Sequence, residues 1–222
     1  MPRKPRRMPR KAYKNNSNIA RYGYGAYKAV KYGAKAAPIV AAAVKYIGGL
    51  VNAERHQKIL DLSLTTSNTG VVNLLSGIAQ GDDISNRQGN SVKTIDLMGN
   101  ITFDQANNTS NFVRVILFMD TANQGVTPSI SDVLTASVTV NSQRNVDNMK
   151  RFKIFQDRLF SFDPDTKTRA LKVYKKLGMH LRFSASTATD VLQNAIYLLI
   201  LDSNGTDHCA FSSSWKLSFY DN

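Results

Sequence analysis

From about residue 55 onward, short apolar or β-branched runs alternate with clusters of Asn, Ser, Thr, Asp and Gly, the punctuation of an all-β chain. Leu60, Leu62 and Leu64 alternate with Asp61, Ser63 and Thr65, which gives a strand with one buried and one wet face. Further extended runs are Ser91 to Phe103, Phe112 to Asp120, Arg151 to Phe162 and Arg169 to Phe183. The last is either one long strand or two pieces meeting near Gly178. Ala195 to Asp202 (AIYLLILD) is apolar on both faces and bounded by Asn194 and by Ser203-Asn204-Gly205. Phe211 to Tyr220 closes the series, with Phe211, Trp215, Leu217 and Phe219 at mostly even spacing. One helical turn is expected at Ser129 to Leu134, capped by Ser129 or Ser131.

Some seven or eight strands with little helix define an all-β class. One sheet of that size, with strands apolar on both sides, would leave faces uncovered. Two sheets packed face to face, or a closed barrel, remove the problem. The long connection over 121–148 suits Greek-key and jelly-roll topologies, which contain such crossings, and not a meander of tight hairpins.

The first quarter of the chain has another texture. Residues 1–18 (MPRKPRRMPRKAYKNNSN) are basic, proline-bearing and without hydrophobic periodicity, so they are expected to be disordered when free. Residues 19–51 are rich in Ala, Tyr, Lys and Gly, and two short helical pieces split near Pro38 are expected there. The expected division is therefore a basic N-terminal arm over 1–54 and a β-domain over 55–222.

Charge sharpens that division. The net charge is +13 over 222 residues. Residues 1–58 hold 14 Lys or Arg against one acid, Glu54, whereas residues 59–222 hold 15 Lys or Arg against 15 Asp. All of the formal charge thus sits on the leader, the pattern of a polyanion-binding tail on a neutral domain. Cys209 is the one cysteine, which excludes an intrachain disulfide and a thiolate zinc site and reads as a small buried apolar residue. The N-terminus carries no secretory pattern. The apolar run from Pro38 to Val51 is short and broken by Lys45 and Gly48-Gly49, and falls well below a bilayer span.

Residues 77–92 (GIAQGDDISNRQGNSV) place Gly81, Arg87, Gly89 and Asn90 ahead of an extended run. Together with Lys150 to Asp157, Asn194 to Asp202 and the basic start, they resemble capsid proteins of circular Rep-encoding single-stranded DNA viruses. The pattern is similar also to the coat proteins of small satellite RNA viruses. Residues 19–51 have no counterpart in the resemblance. It implies an eight-stranded single jelly-roll β-sandwich, sixty copies of which close a small icosahedral (T=1) shell. It implies a virion protein, present in the host nucleus during assembly.

Within the leader, Arg3, Lys4, Arg6, Arg7, Arg10, Lys11 and Lys14 put seven cations in 14 residues. Such a segment neutralises phosphates and releases condensed counterions, giving salt-sensitive and sequence-tolerant affinity. With Arg21, Lys28, Lys31 and Lys35 they form the expected nucleic-acid-binding set. Arg3, Lys4, Arg6, Arg7, Arg10 and Lys11 also read as a nuclear localisation signal for host import receptors. Sixty leaders would offset on the order of several hundred phosphates. The packaged partner is expected to be a single-stranded viral genome, DNA rather than RNA. Tyr22, Tyr24, Tyr27, Tyr32 and Tyr46 either stack on unpaired bases or pack helical pieces against the inner wall.

In the β-domain, Arg144, Lys150, Arg151, Lys153, Lys172, Lys175 and Lys176 are read first as a solvated face or as inter-subunit ion pairs, and second as interior nucleic-acid contacts. Strands apolar on both sides fit a subunit that meets neighbouring copies with edges and loops. No catalytic role is expected. His56, His180 and His208 lack helical metal-ligand spacing, and His208-Cys209 on a strand would point to opposite faces. Neither GxSxG nor GxxxxGK[ST] occurs. Asp82-Asp83 and Asp163/Asp165 read as turn carboxylates in preference to a Ca²⁺ site, and no metal or other cofactor is expected. The competing function is a single-stranded nucleic-acid-binding protein that builds no shell, such as a viral movement or nuclear shuttle protein.

Overall fold

The computed structural model describes residues 54–135 and 139–221. Ten strands form two antiparallel sheets. The first sheet runs β1 (Arg55–Thr65), β10 (Ala210–Asp221), β3 (Ser91–Asp104), β7 (His180–Phe183) and β8 (Val191–Gln193), with β6 (Thr168–Lys176) also paired to β3. The second runs β2 (Val71–Leu74), β9 (Ala195–Asp202), β4 (Asn111–Asp120) and β5 (Phe152–Phe162). The pairing is nested. β1 lies against β10, β2 against β9, β3 against β6 and β7, and β4 against β5. The chain is thus a long ribbon doubled back around the β4–β5 connection. Rolling that ribbon brings β10 beside β3 and β9 beside β4, which is the jelly-roll arrangement.

Every extended run named above forms a strand, with ends shifted by a residue or two. β2 and β8 were not anticipated: four and three residues are too short for alternation to show. The two-piece reading of Arg169 to Phe183 is the observed one. β6 and β7 occupy one strand position, interrupted by Leu177, Gly178 and Met179 opposite a bulge in β3 at Ile95. There Leu177 N donates to Ile95 O at 2.9 Å and Gly178 N to Thr94 O at 3.0 Å. Gly178 sits at φ 99°, a conformation open to glycine at little cost. The eight-stranded plan therefore holds, with one strand split and β8 added.

The core lies between the sheets. Trp215, Leu217, Phe211 and Phe219 of β10 are buried, as are Leu97, Ile101 and Phe103 of β3. Phe103 meets Phe160, Phe162 and Phe211 at centroid separations of 5.8, 6.3 and 6.0 Å. All eight residues of β9 are buried. One face packs into the sandwich. The other lies under the long connection between β4 and β5, where α1 (Ile130–Val133) brings Ile130 beside Leu199 and Leu201. Tyr197 is held from the same side, its hydroxyl donating to Asn123 Oδ1 at 2.7 Å. For β9, then, no neighbouring copy is needed to explain the second apolar face. α1 begins where expected, with Ser129 as N-cap and a full capping box to Asp132.

Candidate nucleic-acid interface

The eleven leader cations, Arg3 through Lys35, and the leader tyrosines lie outside the described residues. Where the β-domain cations sit is fully visible, and most of the arginines are committed to structure.

Arg114 Nε and Nη2 reach the two carboxylate oxygens of Asp157, each at 2.9 Å, while Nη1 donates to Val140 O at 3.1 Å and Ser142 O at 2.5 Å. Arg144 Nη2 reaches the same carboxylate at 3.3 Å. Burial alone would raise the Asp157 carboxyl, but the hydrogen bonds and charges of Arg114 and Arg144 outweigh it and hold it low. This network pins the β4–β5 connection to the edge strand β5. Arg151 makes a second bidentate pair, at 2.9 and 2.7 Å, with the buried Asp120. Arg144 and Arg151 are thus paired within the chain, not with another subunit. Lys175 lies 5.4 Å from the Phe155 ring. Lys150, Lys153, Lys172 and Lys176 are exposed.

The four positions that carried the resemblance prove architectural. Arg87 is fully buried, with Nε donating to Ile78 O at 3.0 Å and Nη1 to Gly89 O at 2.6 Å and Asn90 Oδ1 at 3.2 Å. Its Nη2 donates to Ala185 O, and the guanidinium lies 4.0 Å over the Phe183 ring. One side chain therefore ties residues 78–90 to β7. Gly81 is needed because a Cβ there would come within 2.6 Å of Asn86 Nδ2.

The histidines are equally local. His56 stacks on Phe219 at 5.5 Å, and His180 Nδ1 lies 3.3 Å from Ser91 Oγ. His208 Nδ1 is 2.7 Å from Asp202 Oδ2, which also accepts from Thr66 Oγ1 at 2.5 Å. Cys209 turns away from that group, its thiol donating to Gln105 Oε1 at 2.5 Å. Burial, with the Asp202 charge added, pushes the Cys209 thiol up to about 11, the reverse of what a nucleophile needs. Asp163 Oδ1 accepts from the Asp165 and Thr166 amides at 3.0 and 2.7 Å, an Asx turn.

What remains for polyanion contact is an electrically balanced sandwich with its free lysines on the surface, joined at Arg55 to a leader without acids. Residues 31–222 match the family model described as satellite tobacco necrosis virus coat protein. The match takes in residues 31–51, which the first-named resemblance left without a counterpart. The chain is 33% identical over 150 residues to a coat protein of Satellite tobacco necrosis virus 2, covering 65% of this chain and 74% of that one. It is 30% identical over 163 residues to the coat protein of Maize white line mosaic Satellite virus, covering 70% and 74%. Among solved structures, Broad Bean Stain Virus aligns with a TM-score of 0.38 at 11% identity, over 74% of this chain and 85% of that one. The circular Rep-encoding family is not the one that matches; the satellite-virus likeness, named second, is. The chain belongs to the satellite tobacco necrosis virus coat protein family, and it is a structural viral coat protein, not an enzyme.

Proposed function

We propose that sixty copies of this chain close a small icosahedral shell and hold a single-stranded genome on its inside through the leader cations Arg3, Lys4, Arg6, Arg7, Arg10, Lys11, Lys14, Arg21, Lys28, Lys31 and Lys35. The observation that carries this reading is the segregation of charge: the +13 belongs to the first 58 residues, and the remainder is neutral. A neutral sandwich can pack against copies of itself without long-range repulsion. A leader lacking acids can neutralise phosphates at every other residue or so. The genome is RNA in this reading. Single-stranded DNA and nuclear import were implied by the resemblance to circular Rep-encoding viruses, and membership in the satellite family gives them no support.

The test is particle imaging followed by extraction. Uniform particles whose nucleic acid is destroyed by RNase and spared by DNase are expected. Deleting residues 2–14 is expected to lower the nuclease-protected nucleic acid per particle. Full protection in the deletion variant would refute the role of the leader. A protein that coats oligonucleotides without forming particles would favour the binding module that builds no shell.

A further inference from the structure

The two sheets present very different outer surfaces. The second is roofed by the β4–β5 connection, and its Arg114, Arg144 and Arg151 are spent on Asp157 and Asp120. The first sheet is open. Strand register fixes which residues share its outward side. Lys216 of β10, Met98 of β3 and Tyr174 of β6 lie in one row, and the row beside it carries Ser214, Asn100 and Lys172. A further row holds Ser218, Asp96 and Lys176. Beyond the bulge at Ile95, the row Arg55, Tyr220, Lys93, His180 crosses four strands, and Arg182 stands opposite Ser91.

The cations of this face are not consumed by acids. Asp96 is paired with Arg55 at 3.3 Å, and Lys93, Lys172, Lys176, Arg182 and Lys216 make no ion pair among the described residues. Asp61 and Asp104 lie away from Lys93 and Arg182, on the far strand and at the far end of β3. Tyr174 is 63% exposed, an unusual position for a large aromatic ring, and Met98 beside it is 40% exposed. Lys172, Tyr174 and Lys176 occupy alternate positions, about 7 Å apart along the strand, so two ammonium groups bracket one ring. Toward β1 the face becomes a shallow depression lined by Ser63, Asn100, Thr102, Ser212 and Ser214 beside Asp61, which adds hydroxyl and amide donors.

Free cations alternating with an exposed ring, on a surface without side-chain partners, is the chemistry that holds a single strand: charge along the backbone and a platform for a base. The leader joins the fold at Arg55, in the row that contains Lys93 and His180. We propose that the outward face of the first sheet, centred on Lys93, Lys172, Tyr174, Lys176 and Arg182, is a second binding surface for single-stranded nucleic acid, lining the interior of the shell beneath the leader. This inference rests on the packaging function proposed above.

The test uses the full-length chain and a fluorescein-labelled 20-nucleotide oligo(U). Each phosphate contact on a single strand contributes about 0.7 to the log–log salt slope. Replacing three cations, K172Q/K176Q/R182Q, is therefore expected to shrink the slope by about 2. Y174A is expected to weaken binding about tenfold at fixed salt. In the unaltered chain, a 4-thiouridine oligonucleotide is expected to cross-link to the peptide containing Tyr174, a readout that does not depend on how any variant folds. Cross-links confined to residues 1–53, or an unchanged slope in a triple variant that keeps its circular dichroism, would overturn the proposal and leave the leader's role standing. So would a triple variant that binds normally but no longer assembles, since the face would then join copies of the chain. Failure of the unaltered chain to bind oligo(U) at all would bring down the packaging function as well.

Discussion

Trp215 lies over Gly99, directly across the β3–β10 ladder, and a Cβ at position 99 would overlap the indole ring. Gly99→Ala must move either the largest side chain of the core or the strand beneath it, and is expected to cost about 1–3 kcal/mol in urea denaturation. Nothing in the sequence singles out this glycine, because the demand comes from a residue more than a hundred positions away. Asp157 gives the pH prediction. Its carboxyl is held low by Arg114 and Arg144, so its contribution is fully present above the unfolded value, about 3.9, and is lost as pH falls through the folded one. Asp157→Asn is expected to destabilise the protein by about 2–3 kcal/mol at neutral pH, somewhat less than the 3–5 kcal/mol typical of breaking a fully buried pair. The difference between variant and unaltered protein should narrow below about pH 4 when both are followed by chemical denaturation. Sequence marks Arg114 as a charge inside an apolar strand. It does not mark Asp157, 43 residues away, as the partner.

At the scale of elements, the β4–β5 connection explains why β9 is apolar throughout. Its single helical turn is short enough to depend on its cap, where Ser129 Oγ accepts from Asp132 N at 3.2 Å and Asp132 Oδ2 accepts from Ser129 N at 2.8 Å. Ser129→Ala is expected to cost about 1 kcal/mol in thermal or urea unfolding, with Ser131→Ala the neutral control. The cap was legible because capping is local: a hydroxyl satisfies amides two or three residues on. Strand existence was legible for the same reason, since alternation is written along the strand itself. The split between β6 and β7 was legible only as an alternative at Gly178. The choice was made by the bulge in β3 at Ile95, whose partner strands must adapt to it. Asn194 at φ 63° between β8 and β9 is a similar case. It carries the chain from one sheet to the other, and the sequence shows there only a residue that tolerates this backbone.

At the scale of the molecule, a leader bearing the whole net charge is attached to a sandwich bearing none of it. Removal of residues 2–14 takes away seven cations and no residue of a strand, so the urea midpoint and the denaturant slope of the β-domain are expected to be unchanged. A lowered slope would show that the leader contributes buried surface. Charge segregation and the all-β class were set by the sequence alone, because both are sums or periodicities over neighbouring residues and need no knowledge of what lies opposite. The tertiary structure alone decided which cations are spent and which are free. Arg87, Arg114, Arg144 and Arg151 look no different in the sequence from Lys93, Lys172 and Arg182. Only folding brings carboxylates, carbonyls and rings to the first group and leaves the second in one exposed array, because ion pairing depends on distances between strands remote in the chain.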